Sequence, residues 1–188
     1  MTKQELRDQH LLKRKALTLE EVENKSNSIF DCFVNEVNLS GVKCIHCFLP
    51  IIKNNEVNTN SLLKQFQQLG INVVVPVSNF DTRQMQVALY NSDTSVVLRK
   101  GIPEPENPQF INPNLIDLVI LPLAIFDKNG FRIGYGGGFY DRFLEKLDTK
   151  PQLVGVSFFD AIDDICPNEF DVPLDSCVTP SRTYFFKN

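Results

Sequence analysis

Histidine is scarce in this 188-residue sequence, which has only two, His10 and His46. Neither lies near a pattern typical of a nucleophilic serine or cysteine, so we expect no Ser-His-Asp or Cys-His catalytic site. The cysteines are odd in number and show no spacing typical of a disulfide framework; they are Cys32, Cys44, Cys47, Cys166 and Cys177. Reduced thiols fit this pattern best, and we therefore predict a cytoplasmic protein.

Long apolar runs and a strong charge of either sign are also lacking. No run approaches the length needed to span a bilayer, and Met1–Gln4 does not resemble the start of a secretion signal. The net charge of −4 argues against a general binder of nucleic acids or membrane surfaces. We therefore expect neither a nucleic-acid nor a membrane partner. The expected partners are small-molecule substrates, and the expected state is a monomer.

A possible metal knuckle, Cys44-Ile-His-Cys47, lies in an apolar run. Residues three apart in a strand point to opposite faces, and no second cysteine pair exists elsewhere. A structural role for both thiols is the favoured interpretation.

The sequence predicts one α/β domain over residues 1–188, with neither an internal repeat nor a dividing linker. Capping boxes at Thr2–Glu5 and Thr18–Glu21 predict two N-terminal helices, the second reaching about Asn38. A strand at Val42–Leu49, a helix capped by Thr59 and a strand at Asn72–Pro76 form a strand–helix–strand unit, which predicts parallel pairing. The other predicted elements are strands at Gln84–Tyr90, Leu115–Pro122, Leu153–Phe158 and Tyr184–Phe186, a helix at Phe139–Leu147, an extended loop at Leu98–Pro108 and an acidic loop at Asp163–Asp175.

Glycine is concentrated in one stretch, Leu121–Leu144. Its four loop glycines allow the backbone to reach φ > 0 and to approach a ligand closely; they are Gly134, Gly136, Gly137 and Gly138. Arg132, Asp141 and Arg142 frame the loop, and a strand leading through such a loop into a helix favours anion binding. The Gly-Lys-Ser/Thr of a Walker loop is missing, and Phe139 replaces the third glycine of the dinucleotide fingerprint. A tight turn in a packed corner is the structural alternative.

Phosphate binding also requires cations, because one hydrogen bond to a charged group contributes only about 1.5–3 kcal/mol. Lys3, Arg7 and Arg132 would supply them if the first helix packs over the loop. Asp141 could hold Mg²⁺, or it could simply favour the N-terminal end of its helix. Two lopsided charge clusters, a basic one near the N-terminus and an acidic one in the later loop, are either solvated faces or two sides of one site. They comprise Lys3, Arg7, Lys13, Arg14 and Lys15, and Asp160, Asp163, Asp164, Glu169, Asp171 and Asp175.

The segment FDKNGFRIGYGGGFYDRFL closely resembles the signature of the 5-formyltetrahydrofolate cyclo-ligase family, also called 5,10-methenyltetrahydrofolate synthetases. The similarity extends through KQELR and TLEE near the N-terminus, Glu56-Val-Asn-Thr59, Gly101-Ile-Pro-Glu-Pro105 and the terminal Asp171…Thr179. It implies a single three-layer α/β domain with a mixed, mostly parallel central sheet flanked by helices, similar to the NagB/RpiA/CoA transferase fold. It also implies conversion of 5-formyltetrahydrofolate and ATP, with Mg²⁺, into 5,10-methenyltetrahydrofolate, ADP and phosphate.

The resemblance also implies roles for particular residues. Arg132 and Tyr140 would be catalytic, and Asp141 and Asp171 would hold Mg²⁺. The implied ATP-binding residues are Lys3, Arg7, Arg132, Gly134, Gly136, Gly137, Gly138 and Tyr140. The implied folate-binding residues are Leu49, Glu56, Tyr135, Gly136, Gly137, Gly138 and Phe139.

One position departs from the family pattern. Relatives often have a further cation one turn after the position of Arg7, where this chain has Leu11; Lys13 and Arg14 are the candidates to replace it. This difference favours an alternative, a folate- or nucleotide-binding protein that has kept the fold and lost the reaction. An ATP-dependent enzyme that acts on another formamide is a third hypothesis.

Overall fold

The computed structural model describes residues 1–168 and 171–186, so Glu169 of the acidic cluster lies outside the described residues. Its helices are α1 (Lys3–Lys15), α2 (Leu19–Glu36), α3 (Asn60–Gln68) and α4 (Phe139–Glu145). None of the helices in these residues combines the length and the apolar character needed to cross a membrane.

The first two helices begin where the sequence predicts. The hydroxyls of Thr2 and Thr18 accept the amide hydrogens of Glu5 and Glu21, and each glutamate bonds back to the threonine amide. Both capping boxes are therefore confirmed. Thr59 occupies the N-cap position of α3 as predicted, but its side chain makes no capping hydrogen bond, because its buried hydroxyl donates to the carbonyl of Phe48 at 2.7 Å.

Seven strands form the central sheet, in the order β11-β10-β9-β6-β1-β2-β3. They are β1 (Cys44–His46), β2 (Asn72–Asn79), β3 (Gln84–Tyr90), β6 (Leu118–Pro122), β9 (Gln152–Val156), β10 (Ser176–Val178) and β11 (Thr183–Phe185). The five inner strands pair in parallel, and the two edge strands pair antiparallel with their neighbours. The mixed, mostly parallel sheet is thus confirmed, and β6 is its middle strand.

Two hydrophobic clusters cover the two faces of this sheet. On one face α2 and α3 bury Phe33 and Phe66 against Leu118 and Ile120 of β6. On the other face α4 buries Phe143 against the alternate residues of that strand. Cys44 belongs to the second cluster and Cys47 to the first, so the two thiols of the possible knuckle lie on opposite faces. The result is the three-layer arrangement that the sequence predicts.

The predicted loop at Leu98–Pro108 is partly a hairpin of β4 (Val96–Arg99) and β5 (Ile102–Pro105). Its two-residue turn, Lys100-Gly101, has both φ angles positive, as a type I′ turn requires. The sequence gave little sign of this hairpin, because β4 is largely exposed and does not alternate cleanly between polar and apolar residues. A second small hairpin, β7 (Ile125–Phe126) with β8 (Arg132–Ile133), leads into the glycine loop and was not predicted.

Candidate active site

All residues to which the family resemblance assigns a role line one cleft of about 480 Å³, a volume typical of small-molecule sites. Lys13 and Arg14, the candidates to replace the cation at Leu11, do not line it. The cleft lies near the carboxyl ends of β1 and β6, where ligands commonly bind in open α/β sheets. The residues so brought together are Lys3, Arg7, Leu49, Glu56, Arg132, Gly134, Tyr135, Gly136, Gly137, Gly138, Phe139, Tyr140, Asp141 and Asp171.

The glycine loop requires glycine for stereochemical reasons at two positions. Gly136 has a φ of 87° and Gly138 a φ of 62°, both in the left-handed region. At Gly138 a Cβ would also lie 2.8 Å from Nη1 of Arg142. Arg142 donates to the carbonyls of Gly137 at 2.5 Å and Arg83 at 3.0 Å, so this cation ties the loop to the β2–β3 turn.

Helix α1 does cover the loop. Nε of Arg7 donates to the carbonyl of Gly134 at 2.8 Å, and its Cζ would lie 3.4 Å from a Cβ at Gly136. Lys3 and Arg7 of this helix therefore reach the cleft. This was the condition under which the sequence predicted that they bind phosphate.

The two candidate metal ligands are each paired with a candidate phosphate-binding cation. Lys3 forms an ion pair with Asp171, and Nη2 of Arg132 donates to Asp141 at 2.7 Å. Arg132 also donates to the carbonyl of Val172 at 2.6 Å. Its burial lowers the pKa of the guanidinium, an effect that the negative charge of Asp141 opposes.

The two charge clusters contribute to the cleft only in part. From the basic cluster Lys3 and Arg7 line it, whereas Lys13 and Lys15 are exposed. Among the described members of the acidic cluster, Asp171 alone lines it. Asp163 pairs with Lys128 at 2.6 Å, and Asp160 accepts from Tyr184 at 3.0 Å. Lys13, Lys15, Asp160, Asp163 and Asp164 are therefore solvated, whereas Lys3, Arg7 and Asp171 belong to the site.

At the other end of the cleft the carboxylate of Glu56 is buried, with 3% of the residue exposed. Its Oε2 accepts the amide hydrogen of Ile51 at 2.8 Å, and its Oε1 has no hydrogen-bond partner among residues 1–168 and 171–186. Burial raises the pKa of Glu56 above its ordinary value. The surrounding wall is largely apolar, with Leu49, Phe48, Pro76, Met85, Ile102 and Pro103.

Tyr140 lies between this end and the cations. Its hydroxyl is buried and, in the described part of the chain, has no hydrogen-bond partner. Burial raises the Tyr140 pKa, and the charge of Arg132 lowers it. The ring of His46 meets Tyr140 edge to face, with centroids 5.5 Å apart, and complete burial lowers the pKa of His46 to about 3.

Sequence reasoning missed two features of this region. Phe80, in the β2–β3 turn, packs edge to face on Phe139, a residue of the cleft wall, with ring centroids 5.7 Å apart. Arg14 is buried and does not lie with the other cations of α1. Its Nη1 donates to the Tyr135 hydroxyl at 2.6 Å. No local pattern could reveal this contact, because the two residues are 121 positions apart.

Comparison with known proteins gives a consistent result. The family model described as "5-formyltetrahydrofolate cyclo-ligase family" matches residues 1–180. The 5-formyltetrahydrofolate cyclo-ligase of Escherichia coli K12 is 33% identical over 137 residues, which cover 70% of this chain and 75% of that protein. The solved structure of Aquifex aeolicus 5,10-methenyltetrahydrofolate synthetase matches with a TM-score of 0.82 and 26% identity, covering 100% of this chain and 94% of that one. The Mycoplasma pneumoniae synthetase structure matches with a TM-score of 0.74 and 26% identity, covering 96% and 99%.

Proposed function

This chain belongs to the 5-formyltetrahydrofolate cyclo-ligase family of enzymes, and on that premise we propose that it uses ATP and Mg²⁺ to convert 5-formyltetrahydrofolate into 5,10-methenyltetrahydrofolate, ADP and phosphate. The observation on which the proposal chiefly rests is the cleft that brings the implied site residues together, with cations at one end and a buried carboxylate at the other. We propose further that the enzyme works as a monomer in the cytoplasm.

The reaction needs an activated oxygen, because a formamide oxygen is a poor leaving group. Transfer of the γ-phosphoryl group to that oxygen gives an iminium phosphate. N10 of the folate then attacks the formyl carbon, the five-membered ring closes and phosphate leaves. Such a sequence needs no protein nucleophile, and positioning and charge stabilisation suffice to accelerate it.

In this proposal Lys3, Arg7 and Arg132 bind the phosphates of ATP, together with the backbone amides of Gly134 and Gly136–Gly138. Arg132 is the preorganised member of the set, because the Val172 carbonyl and Asp141 hold its guanidinium in place. We assign Arg132 to the charge that develops on the transferring phosphoryl group. Tyr140 is assigned to the same group, since its buried hydroxyl has a proton to donate and no partner in the described residues.

Asp141 and Asp171 fit a magnesium site of the kind found with nucleotides. Mg²⁺ prefers oxygen ligands and usually takes only one or two carboxylates, with phosphate oxygens and water completing its shell. In residues 1–168 and 171–186 no group of three or more His, Cys, Asp or Glu could hold a metal ion, so a site made by the protein alone is not indicated. When bound, the ion would neutralise charge on the phosphates.

The folate occupies the other end in this proposal. The free Oε1 of Glu56 can accept a hydrogen bond from an N–H group of the pterin ring. Leu49 and Phe139 supply apolar surface, and the loop Tyr135–Phe139 lies between the two substrates. A buried acceptor beside an apolar wall suits a flat heterocycle that carries N–H donors.

A coupled assay tests this function. Purified protein with ATP, Mg²⁺ and 5-formyltetrahydrofolate should generate the near-ultraviolet absorbance of methenyltetrahydrofolate and release ADP in equal amount. Absence of both products would refute the proposal. Calorimetry that showed tight folate binding without ATP consumption would instead support a binding protein that has lost the reaction.

A further inference from the structure

Arg14 is a buried cation whose role the proposed reaction leaves open. Only 7% of the residue is exposed, although it lies in the last turn of α1. Its Nε donates to the carbonyl of Asn54 at 3.0 Å and its Nη1 to the hydroxyl of Tyr135 at 2.6 Å. No carboxylate of residues 1–168 and 171–186 forms an ion pair with it. Burying a charge without a paired partner is costly, so a functional reason is to be sought.

Glu56 is a carboxylate on whose pKa the positive charge of Arg14 acts. Burial raises the pKa of Glu56, whereas the Ile51 amide, the positive charge of Arg14 and the nearby Tyr135 hydroxyl each lower it. The same two charges also affect the pKa of the Tyr135 hydroxyl. Burial and the charge of Glu56 raise the pKa of Tyr135, and Arg14 lowers it. Cation, phenol and carboxylate thus form a short series that leads from α1 to the folate end of the cleft.

Hydrogen-bond directions strengthen this arrangement. Because the oxygen of Tyr135 accepts from Arg14, the phenolic proton remains available for the carboxylate side. The segment that carries Glu56 is also attached to α1, since the side-chain amide of Asn55 donates to the carbonyls of Arg14 at 3.2 Å and Leu17 at 2.8 Å. Arg14 and Glu56 are therefore held at a fixed spacing.

We propose that Arg14 is a positioning residue for folate recognition: its hydrogen bond to the Tyr135 hydroxyl orients that phenol, and its buried guanidinium supplies positive charge at the folate end of the cleft. The inference rests on the proposed function, because it concerns the folate end of that site. An ionised carboxylate can only accept hydrogen bonds, whereas a protonated one would present a donor to the pterin N–H groups. The other titratable group that faces Glu56 is Tyr140, which is neutral in the relevant pH range because burial raises its pKa.

The test compares wild-type protein with Arg14→Met in calorimetric binding of 5-formyltetrahydrofolate without ATP, between pH 6 and pH 9. Without the cation the pKa of Glu56 rises further, so the carboxyl group of the variant stays protonated up to a higher pH than that of the wild type. Its Kd should be raised roughly tenfold or more at pH 6, the scale of one charge-assisted hydrogen bond. The difference should shrink as the pH rises, because Glu56 ionises again. The KM for ATP should stay within about twofold, since a twofold change corresponds to only a few tenths of a kcal/mol.

Two further variants separate this role from simple packing. Arg14→Lys keeps the charge and should keep a wild-type pH profile even if its Kd is higher throughout. Lys13→Met removes an equal charge from the exposed side of the same turn and should leave folate binding unchanged at every pH. A Kd for Arg14→Met that equals the wild-type value, or that is raised by the same factor at every pH, would overturn the inference. Failure of the wild-type protein to bind folate would refute the proposed function itself.

Discussion

Arg132 and Asp141 form a 2.7 Å hydrogen-bonded ion pair in which the two side chains are very unequally buried. The arginine side chain is 6% exposed and the aspartate side chain 59% exposed. The guanidinium is fixed by a second bond to Val172, whereas the carboxylate projects into the cleft and can exchange its partner. An ion pair with one partner exposed to solvent contributes little to the free energy of unfolding. A functional role therefore explains the presence of Asp141 better than a structural one.

Asp141→Asn should therefore impair turnover far more than folding. We expect kcat with Mg²⁺ and ATP to fall by about a hundredfold or more, the effect of removing one preorganised electrostatic group. The melting temperature should change by only a few degrees, as is usual for loss of a surface charge. Asp163→Asn is the matched control, because Asp163 is also ion-paired and lies outside the cleft. A sharp fall in melting temperature with activity retained would show that Asp141 only stabilises α4.

Lys3→Met should affect ATP more than folate. Lys3 pairs with Asp171 at the cation end of the cleft, and both side chains are partly exposed. The KM for ATP should rise roughly tenfold, the scale of one charge-assisted hydrogen bond, and the KM for folate should stay near the wild-type value. Stability should change by under about 1 kcal/mol, because exposed pairs contribute little. Equal increases in both KM values, measured in steady state against Lys13→Met, would contradict this assignment.

Gly136→Ala should be destabilising where Gly134→Ala is not. An alanine at 136 would have a φ of 87° and a Cβ 3.4 Å from Cζ of Arg7. The left-handed backbone alone costs an L-residue about 1–2 kcal/mol. At Gly134 φ is not in the left-handed region, and a Cβ would meet nothing within 4 Å. Chemical denaturation of both variants checks this, and an equal loss of stability at the two positions would show that strain in the loop is not the cause.

His46→Phe should flatten the decline of stability in acid. The folded-state pKa of His46 is about 3, below its ordinary value of 6.5, because the ring is completely buried. Between those values the unfolded chain binds a proton that the folded chain does not, so this group lowers stability as the pH falls below 6.5. The slope is at most about 1.4 kcal/mol per pH unit.

Denaturant unfolding of both proteins at pH 7 and pH 5 isolates that contribution. Each protein is compared with itself at the two pH values, because phenylalanine is larger than histidine and the exchange can itself change stability at pH 7. The variant should lose less stability than wild type between pH 7 and pH 5. Parallel losses in the two proteins would mean that His46 is protonated in the folded state.

The sheet could largely be predicted from the sequence, because its inner strands are short apolar runs between clear turns. Gln84–Tyr90 has the predicted bounds, and Leu118–Pro122 is the middle strand. Ser176–Val178 was not predicted, since three residues after an acidic loop give no periodicity to detect. The buried face of α1 does not follow its apolar residues: Leu12 is exposed, while the polar His10 is buried with Leu6 and meets the ring of Phe159 edge to face.

The candidate site was predictable as a set of residues and not as a set of contacts. The glycine loop and its charged neighbours are local in sequence, so their spacing alone indicates an anion site. Lys3 with Asp171, Arg7 with Gly134 and Arg14 with Tyr135 are 168, 127 and 121 positions apart. Such contacts follow from how the domain closes, which a single sequence does not display.

The attachment of α1 to the glycine loop also bears on the order in which the parts of the cleft come together during folding. No strand of the central sheet comes from residues before Cys44. The sheet and the two cations of α1, Lys3 and Arg7, therefore come from separate parts of the sequence. Contacts across more than a hundred residues are entropically expensive to close before the intervening chain has folded. During folding the apolar layers can therefore form first, and Lys3 and Arg7 reach the cleft only when α1 docks.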